Sequence, residues 1–182
     1  MRKISSREVA ELVKRLSIEA NLYAPIDLEE SLRGAEALEA SPYGLAVLQD
    51  LLENIKLAQD EKMPLCQDCG MAVVFVDWGQ EAVLVDSSLQ ESIDEGVSRA
   101  YVEGYLRKSV VNDPLYDRKN TGDNTPAIVH LRLVQGSEVE ITVVPKGMGS
   151  ENASALAMLS PADGEEGVVN FVTSVIAQKG QN

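Results

Sequence analysis

Apolar residues recur at helical spacing from the first serines onward. Val9, Leu12, Val13, Leu16 and Ile18 predict a helix that starts at Ser5 or Ser6 and runs to about Asn21. Tyr23-Ala24-Pro25 breaks it, and a shorter helix restarts at Pro25 or Asp27 with Leu28, Leu32 and Ala37 as its apolar positions. Ser41-Pro42 reads as a cap followed by proline at the first helical position. A third helix then carries Leu45, Leu48, Leu51, Leu52, Ile55 and Ala58. Residues 1–60 are expected to form a helical lobe, with scaffolding or oligomer contact as its role, since no reactive cluster sits in it.

The pattern then changes. Met71 to Asp77 and Ala82 to Asp86 are short β-type runs joined by Trp78-Gly79-Gln80, which predicts a hairpin. Ser87 and Ser88 offer a cap for a helix over 88–107, with Leu89, Ile93, Val97, Ala100, Tyr101 and Tyr105 on one side. A polar loop dense in turn formers follows over 118–126. Ala127 to Val134 and Glu138 to Val144 predict a second hairpin around Gln135-Gly136-Ser137. The glycine-rich stretch 145–152 is expected to open a helix through Leu156 and Met158; Pro161 breaks the chain, and a last helix runs from about Glu165 to Gln178. Helices first and hairpins later predict an α+β class: the helical lobe, then one continuous region over 61–182 with a mixed, largely antiparallel sheet and flanking helices.

Charge narrows the partners. The net charge is −13, from 29 acidic and 16 basic residues. That disfavours nucleic acid and anionic membranes, both of which reward a basic face. An anionic ligand would need a local basic cluster working against the overall field. Arg107, Lys108, Arg118 and Lys119 are such candidates, with solvated surface charge as the alternative. No apolar stretch approaches the length of a membrane span, and no signal-peptide core follows the N-terminus. Two cysteines do not make a secreted disulfide framework, so a reducing, cytoplasmic setting is expected.

Candidate chemistry concentrates in Pro64-Leu65-Cys66-Gln67-Asp68-Cys69-Gly70, a tight loop before a β-type run. Spacing alone leaves Cys66 and Cys69 open to several readings: a zinc knuckle, for which the chain lacks a second ligand pair; a thioredoxin-like dithiol, for which a helix should follow; a ligand to a metal cluster beside a bystander thiol; or two buried structural cysteines. Lys146-Gly147-Met148-Gly149-Ser150 at a helix start would suit an anion, or serve only as a capped turn. His130 in a strand is expected to be a packed residue with one hydrogen bond.

Taken together and in order, four segments resemble one family. They are Pro64 to Gly70, Leu106-Arg107-Lys108-Ser109, Asn120-Thr121-Gly122-Asp123-Asn124-Thr125-Pro126, and Lys146-Gly147-Met148-Gly149-Ser150-Glu151-Asn152. They look like class I fumarase and L-tartrate dehydratase, in particular the α subunit or the N-terminal catalytic region of fused forms. The resemblance implies a hydro-lyase that reversibly adds water to a small dicarboxylate, using a [4Fe–4S] cluster held by three cysteines with one iron open as a Lewis acid. It implies Cys66 as a cluster ligand, Gln67 and Asp68 against the substrate with Asp68 as the proton-transfer group, Arg107 as a carboxylate clamp, and Gly149 at the other end of the substrate. It also implies a β subunit or a C-terminal region as partner, in a homodimer or heterotetramer. Three departures stand beside it. Cys69 occupies a position where the family usually has threonine, and Met148 one where it usually has glycine. Family α subunits continue well beyond the length of this chain, into a part that holds the other cysteine ligands. The alternative expectation is a binding or assembly module that keeps the fold without the cluster.

Overall fold

A computed structural model of the chain describes residues 1–149 and 153–179. Local capping chemistry sets the helices where the pattern places them. Ser5 accepts from the Glu8 N–H while the Glu8 carboxylate accepts from the Ser5 N–H, and this capping box opens α1 (Ser6–Leu22) after a short strand β1 (Arg2–Ser5). α2 (Ile26–Leu38) follows Pro25, and α3 (Pro42–Glu61) starts from a Ser41 cap with proline in its first turn. Lys62, at φ 53°, ends α3 in the left-handed region. A second capping box, Ser88 with Glu91, opens α4 (Leu89–Glu103).

The strands are β2 (Met71–Gly79), β3 (Ala82–Val85), β4 (Ile128–Val134) and β5 (Val139–Lys146). β2 is central in a three-stranded sheet of order β4-β2-β5, and β1 pairs with β3 in a separate two-stranded sheet. The class is α+β, with a mixed sheet and flanking helices, as the pattern predicts. Its antiparallel share is smaller than expected, because β2–β4 and β1–β3 are parallel and only β2–β5 is antiparallel.

Neither predicted hairpin forms. β3 turns away from β2 to pair with β1. β4 and β5 run antiparallel to each other with β2 inserted between them, so their short connection crosses the end of β2. That connection must span two strand spacings, roughly 10 Å. Gly79 N–H donates to Glu138 O, Gln80 N–H to Val134 O and Glu81 N–H to Gly136 O, which satisfies the backbone at the crossing. Alternation tells which face a residue occupies. It does not tell which strand is the neighbour.

The core lies between the sheet and the pair α1 and α4. Ala72, Val74, Val76 and Trp78 from β2 are buried on the inner face, with Val9 and Val13 from α1 and Ile93, Val97, Ala100 and Tyr101 from α4. Val74 and Val76 are 0% exposed, and burying each contributes about 1.5–3 kcal/mol. Gly96 permits the α1–α4 crossing: a Cβ there would sit 2.6 Å from Ala10 O and 2.8 Å from the Val13 Cβ. α1 therefore contributes Val9 and Val13 to the core. α2 buries no residue, and α3 buries only Ile55 and Ala58.

The chain divides into two compact units, Met1–Lys146 and a second beginning at Gly147. In the second unit, α5 (Gly164–Lys179) follows a 3₁₀ turn at Pro161–Asp163. The helix expected through Leu156 and Met158 is absent, since 154–160 carries no regular structure. Only a few residues separate the glycine stretch from Ser160-Pro161, too short a run to sustain a helix without packing. Among the described residues, no helix is long and apolar enough to cross a membrane.

Candidate functional site

The loop 64–70 links α3 to β2 and is tied at both ends. Leu65 N–H donates to Asn21 O at 2.8 Å, and the Asn54 amide donates to Leu65 O at 2.9 Å. At the other end Gly70 adopts φ 63°, a conformation glycine takes without strain. Between them the chain folds on itself: Asp68 N–H approaches Cys66 Sγ at 3.4 Å, Cys69 N–H donates to Gln67 O at 3.2 Å, and Gly70 N–H donates to Asp68 Oδ1 at 3.2 Å.

This winding separates the two thiols. Cys66 is exposed and Cys69 is buried. Gln67 is exposed and Asp68 half-buried. Cys69 Sγ accepts a hydrogen bond from the Arg107 N–H at 3.2 Å. The buried thiol thus joins this loop to the Leu106-Arg107-Lys108-Ser109 segment. Leu106 is buried, whereas Arg107 is exposed.

A second tie comes from the loop 120–126. Asn124 is 0% exposed. Its Oδ1 accepts from Ser109 N–H at 2.7 Å and from Val110 N–H at 3.1 Å, and its Nδ2 donates to Gly70 O at 3.0 Å. A third comes from α4: the Tyr101 hydroxyl donates to Cys69 O at 2.9 Å and lies 3.2 Å from Gly70 O. Burial, reinforced by the nearby Cys69, pushes the Tyr101 phenol up to about 12, so it stays a neutral donor.

The basic residues are gathered by the same loops. Asn112 N–H donates to Lys119 O, Thr121 N–H to Val110 O, and the Asn120 amide to Lys108 O at 3.1 Å. Arg107, Lys108, Arg118 and Lys119 therefore sit on one paired loop, a cationic locale in an acidic chain. Asp123 lies on the same loop. Burial raises its carboxyl, but hydrogen bonds from the Thr125 hydroxyl (2.8 Å) and N–H (3.1 Å) more than offset that and leave it below the usual aspartate range.

Of the residues singled out from sequence, Cys66, Gln67, Asp68 and Arg107 belong to segments that the fold joins directly. Gly149 belongs to the second unit, and Ser150, Glu151 and Asn152 lie outside the described residues. His130 is not packed inside with a hydrogen bond. It is exposed on the outer face of the sheet and stacks on Phe75, with ring centroids 5.0 Å apart. There Phe75, Asp77, His130, Arg132, Glu140 and Thr142 line a hollow of about 410 Å³ that includes no residue of the loops. Asn124 and Tyr101 are what the sequence reading missed as site residues. The one available signal for Asn124 was an asparagine in a turn-rich loop, and its backbone is indeed left-handed at φ 67°.

Comparison with known proteins fits this arrangement. The profile of the family described as fumarate hydratase (Fumerase) matches residues 10–182, and the chain belongs to that family. Among curated relatives, it is 38% identical over 180 residues to a protein of Methanocaldococcus jannaschii provisionally named L(+)-tartrate dehydratase subunit alpha, covering 95% of this chain and 62% of the relative. It is 29% identical over 167 residues to the L(+)-tartrate dehydratase subunit alpha of Escherichia coli K12, covering 91% of this chain and 55% of that protein. The chain thus spans less than two thirds of the length of these relatives.

The family resemblance carries an iron–sulfur cluster with three cysteine ligands, and the donor set here does not meet that requirement. The sequence holds two cysteines. One of them, Cys69, is buried and engaged by the Arg107 N–H. Among the described residues, no group of three His, Cys, Asp or Glu side chains is placed to hold a metal ion. Cys66 alone offers an accessible thiol.

Proposed function

We propose that this chain supplies the substrate-handling part of the α subunit of a hydro-lyase acting on a small dicarboxylate, either hydrating fumarate to malate or dehydrating tartrate. The observation that carries this reading is the joining of the Cys66-Gln67-Asp68 loop to the Arg107 segment through Cys69 and Asn124. Within it, Arg107 forks onto one substrate carboxylate, a contact that a planar guanidinium makes with two parallel hydrogen bonds. Gln67 contacts the substrate. Hydration adds hydroxide to one alkene carbon and a proton to the other, and Asp68 is the group assigned to carry that proton. Its position beside the Gly70 N–H fixes the carboxylate within the loop. Cys66 supplies one ligand to a [4Fe–4S] cluster whose remaining ligands come from outside this chain. The part of the relatives' length that the match leaves out, or a β subunit that their alpha-subunit names imply, is the source. The setting is cytoplasmic and the assembly a homodimer or heterotetramer.

The test is anaerobic assembly of the chain with its β subunit and the remaining α-subunit sequence, with iron and sulfide, followed by assays on fumarate and on L-tartrate. Activity on one of them is expected, and Cys66→Ser should abolish it. Full activity in that variant overturns the assignment of Cys66. A second reading is favoured by the burial of Cys69 and its engagement by the Arg107 N–H: a binding or assembly module that retains the fold without the cluster. It predicts association with the β subunit, no iron–sulfur absorption and no turnover.

A further inference from the structure

We propose that Asn124 is a positioning residue that holds the Arg107 clamp at a fixed spacing from the cysteine loop; this deepens, and rests on, the hydro-lyase reading. The geometry is specific to a carboxamide. One oxygen receives two successive N–H groups, those of Ser109 and Val110, two and three positions after Arg107. One nitrogen donates to the carbonyl of Gly70, the last residue of the cysteine loop. These partners lie 15, 14 and 54 positions away in sequence, so a single side chain bridges three loops. A carboxylate could accept but not donate, and a hydroxyl is too short to do both.

Asn124 is 0% exposed, so a lost partner is not replaced by water at the surface. Its left-handed backbone, at φ 67°, is one that asparagine tolerates better than most side chains. The Tyr101 hydroxyl reaches the Cys69 and Gly70 carbonyls and lies beside the Asn124 amide. The Gly70 carbonyl is therefore held by two side chains from different segments. Arg107 itself is exposed, so its backbone must be held from behind if its guanidinium is to meet a ligand in a fixed pose.

The test combines amide hydrogen exchange on the full chain with steady-state kinetics on the enzyme assembled with its β subunit and the remaining α-subunit sequence. In the wild type, the Ser109 and Val110 amides should exchange as slowly as those of β2. In Asn124→Ala they should exchange at least about tenfold faster while β2 stays protected. Asn124→Asp keeps the acceptor and loses the donor. It should retain protection at Ser109 and Val110, yet raise KM for the dicarboxylate about tenfold or more with a smaller change in kcat, because the clamp and the cysteine loop move apart. Unchanged exchange in Asn124→Ala overturns the proposal. So does a KM in Asn124→Asp equal to wild type, which a merely structural role would give once the folded fraction is accounted for. If Asn124→Ala fails to fold, the Asn124→Asp kinetics still decide. Wild-type enzyme that turns over neither fumarate nor tartrate defeats the hydro-lyase reading, whereas loss of slow exchange at Ser109 and Val110 in the wild type defeats the bridge itself.

Discussion

Two polar regions of this molecule look alike in composition and differ in construction. The loop cluster at 64–70, 106–110 and 120–126 and the outer face of the sheet each bring together acidic and basic side chains. On the outer face the contacts are local rungs of the ladder: Phe75 beside His130, Asp77 beside Arg132. The groups stand in solvent, and their register follows from the backbone. In the loop cluster, buried side chains cross between segments that the backbone alone would not align. Asn124, Tyr101 and Cys69 each satisfy main-chain groups far away in sequence. Buried polar groups are retained where they fix a geometry, since each costs stability if unpaired. The outer hollow has shape and charge without any such support.

The largest contrast should come from Tyr101→Phe. The ring, 0% exposed, keeps its packing. The Cys69 carbonyl loses its donor, which should cost about 1–3 kcal/mol by chemical denaturation. The variant should also lose an alkaline limb. The folded phenol is raised from 10.0 to about 12, so wild type holds this contribution below the unfolded value and loses it as pH rises from 10.0 toward about 12. Tyr101→Phe should show no such loss. A variant as stable as wild type at neutral pH would mean that the hydroxyl does not support the loop.

That contrast also marks where the sequence was informative. Helix starts at Ser5, Ser41 and Ser88 were legible because capping is a local signal. The runs that became β2, β3, β4 and β5 were legible from alternation and apolar content. Their pairing was not, since β2 inserts between β4 and β5 and nothing local specifies that. β1 went unseen because Arg2-Lys3-Ile4-Ser5 has a single apolar residue. Three of the loops were found by the order of their motifs, and Cys66, Gln67, Asp68 and Arg107 fall in joined segments. Tyr101 read correctly as part of the buried side of α4, but its hydroxyl's partners are 32 and 31 positions away. Asn124 read as a turn former. Its role depends on carbonyl and amide groups that only the fold brings near.

A smaller effect should follow from changing Cys69. Cys69→Val fills similar volume but removes the acceptor for the Arg107 N–H, at a cost of about 1 kcal/mol. Cys69→Thr restores an oxygen acceptor and should lie closer to wild type in stability and in protection of the Arg107 amide. If valine and threonine behave identically, the sulfur contributes packing only. On the outer face, Arg132→Ala should leave the thermal midpoint unchanged within error, because an exposed ion pair contributes little.

The subtlest test sets two depressed carboxyls against each other. Asp77 is held below the ordinary aspartate value of 3.8 by hydrogen bonding to Arg132, helped by the charge of that guanidinium. Asp123 is also held below the usual aspartate range: burial raises it, but hydrogen bonds from Thr125, with Ser98 and Thr121, outweigh that. A carboxyl depressed on folding stabilises the native state above its unfolded value, and that contribution disappears as pH falls through the folded value. Both should therefore steepen the loss of stability below about pH 3.8. Their causes differ, and salt separates them. Screening weakens an exposed ion pair but hardly touches neutral donors at short range. The part of the acid limb removed by Asp77→Asn should shrink at high ionic strength. The part removed by Asp123→Asn should persist. Equal salt sensitivity would show that the loop carboxyl is governed by the nearby cations and not by its threonine, and would place both regions on the same electrostatic footing.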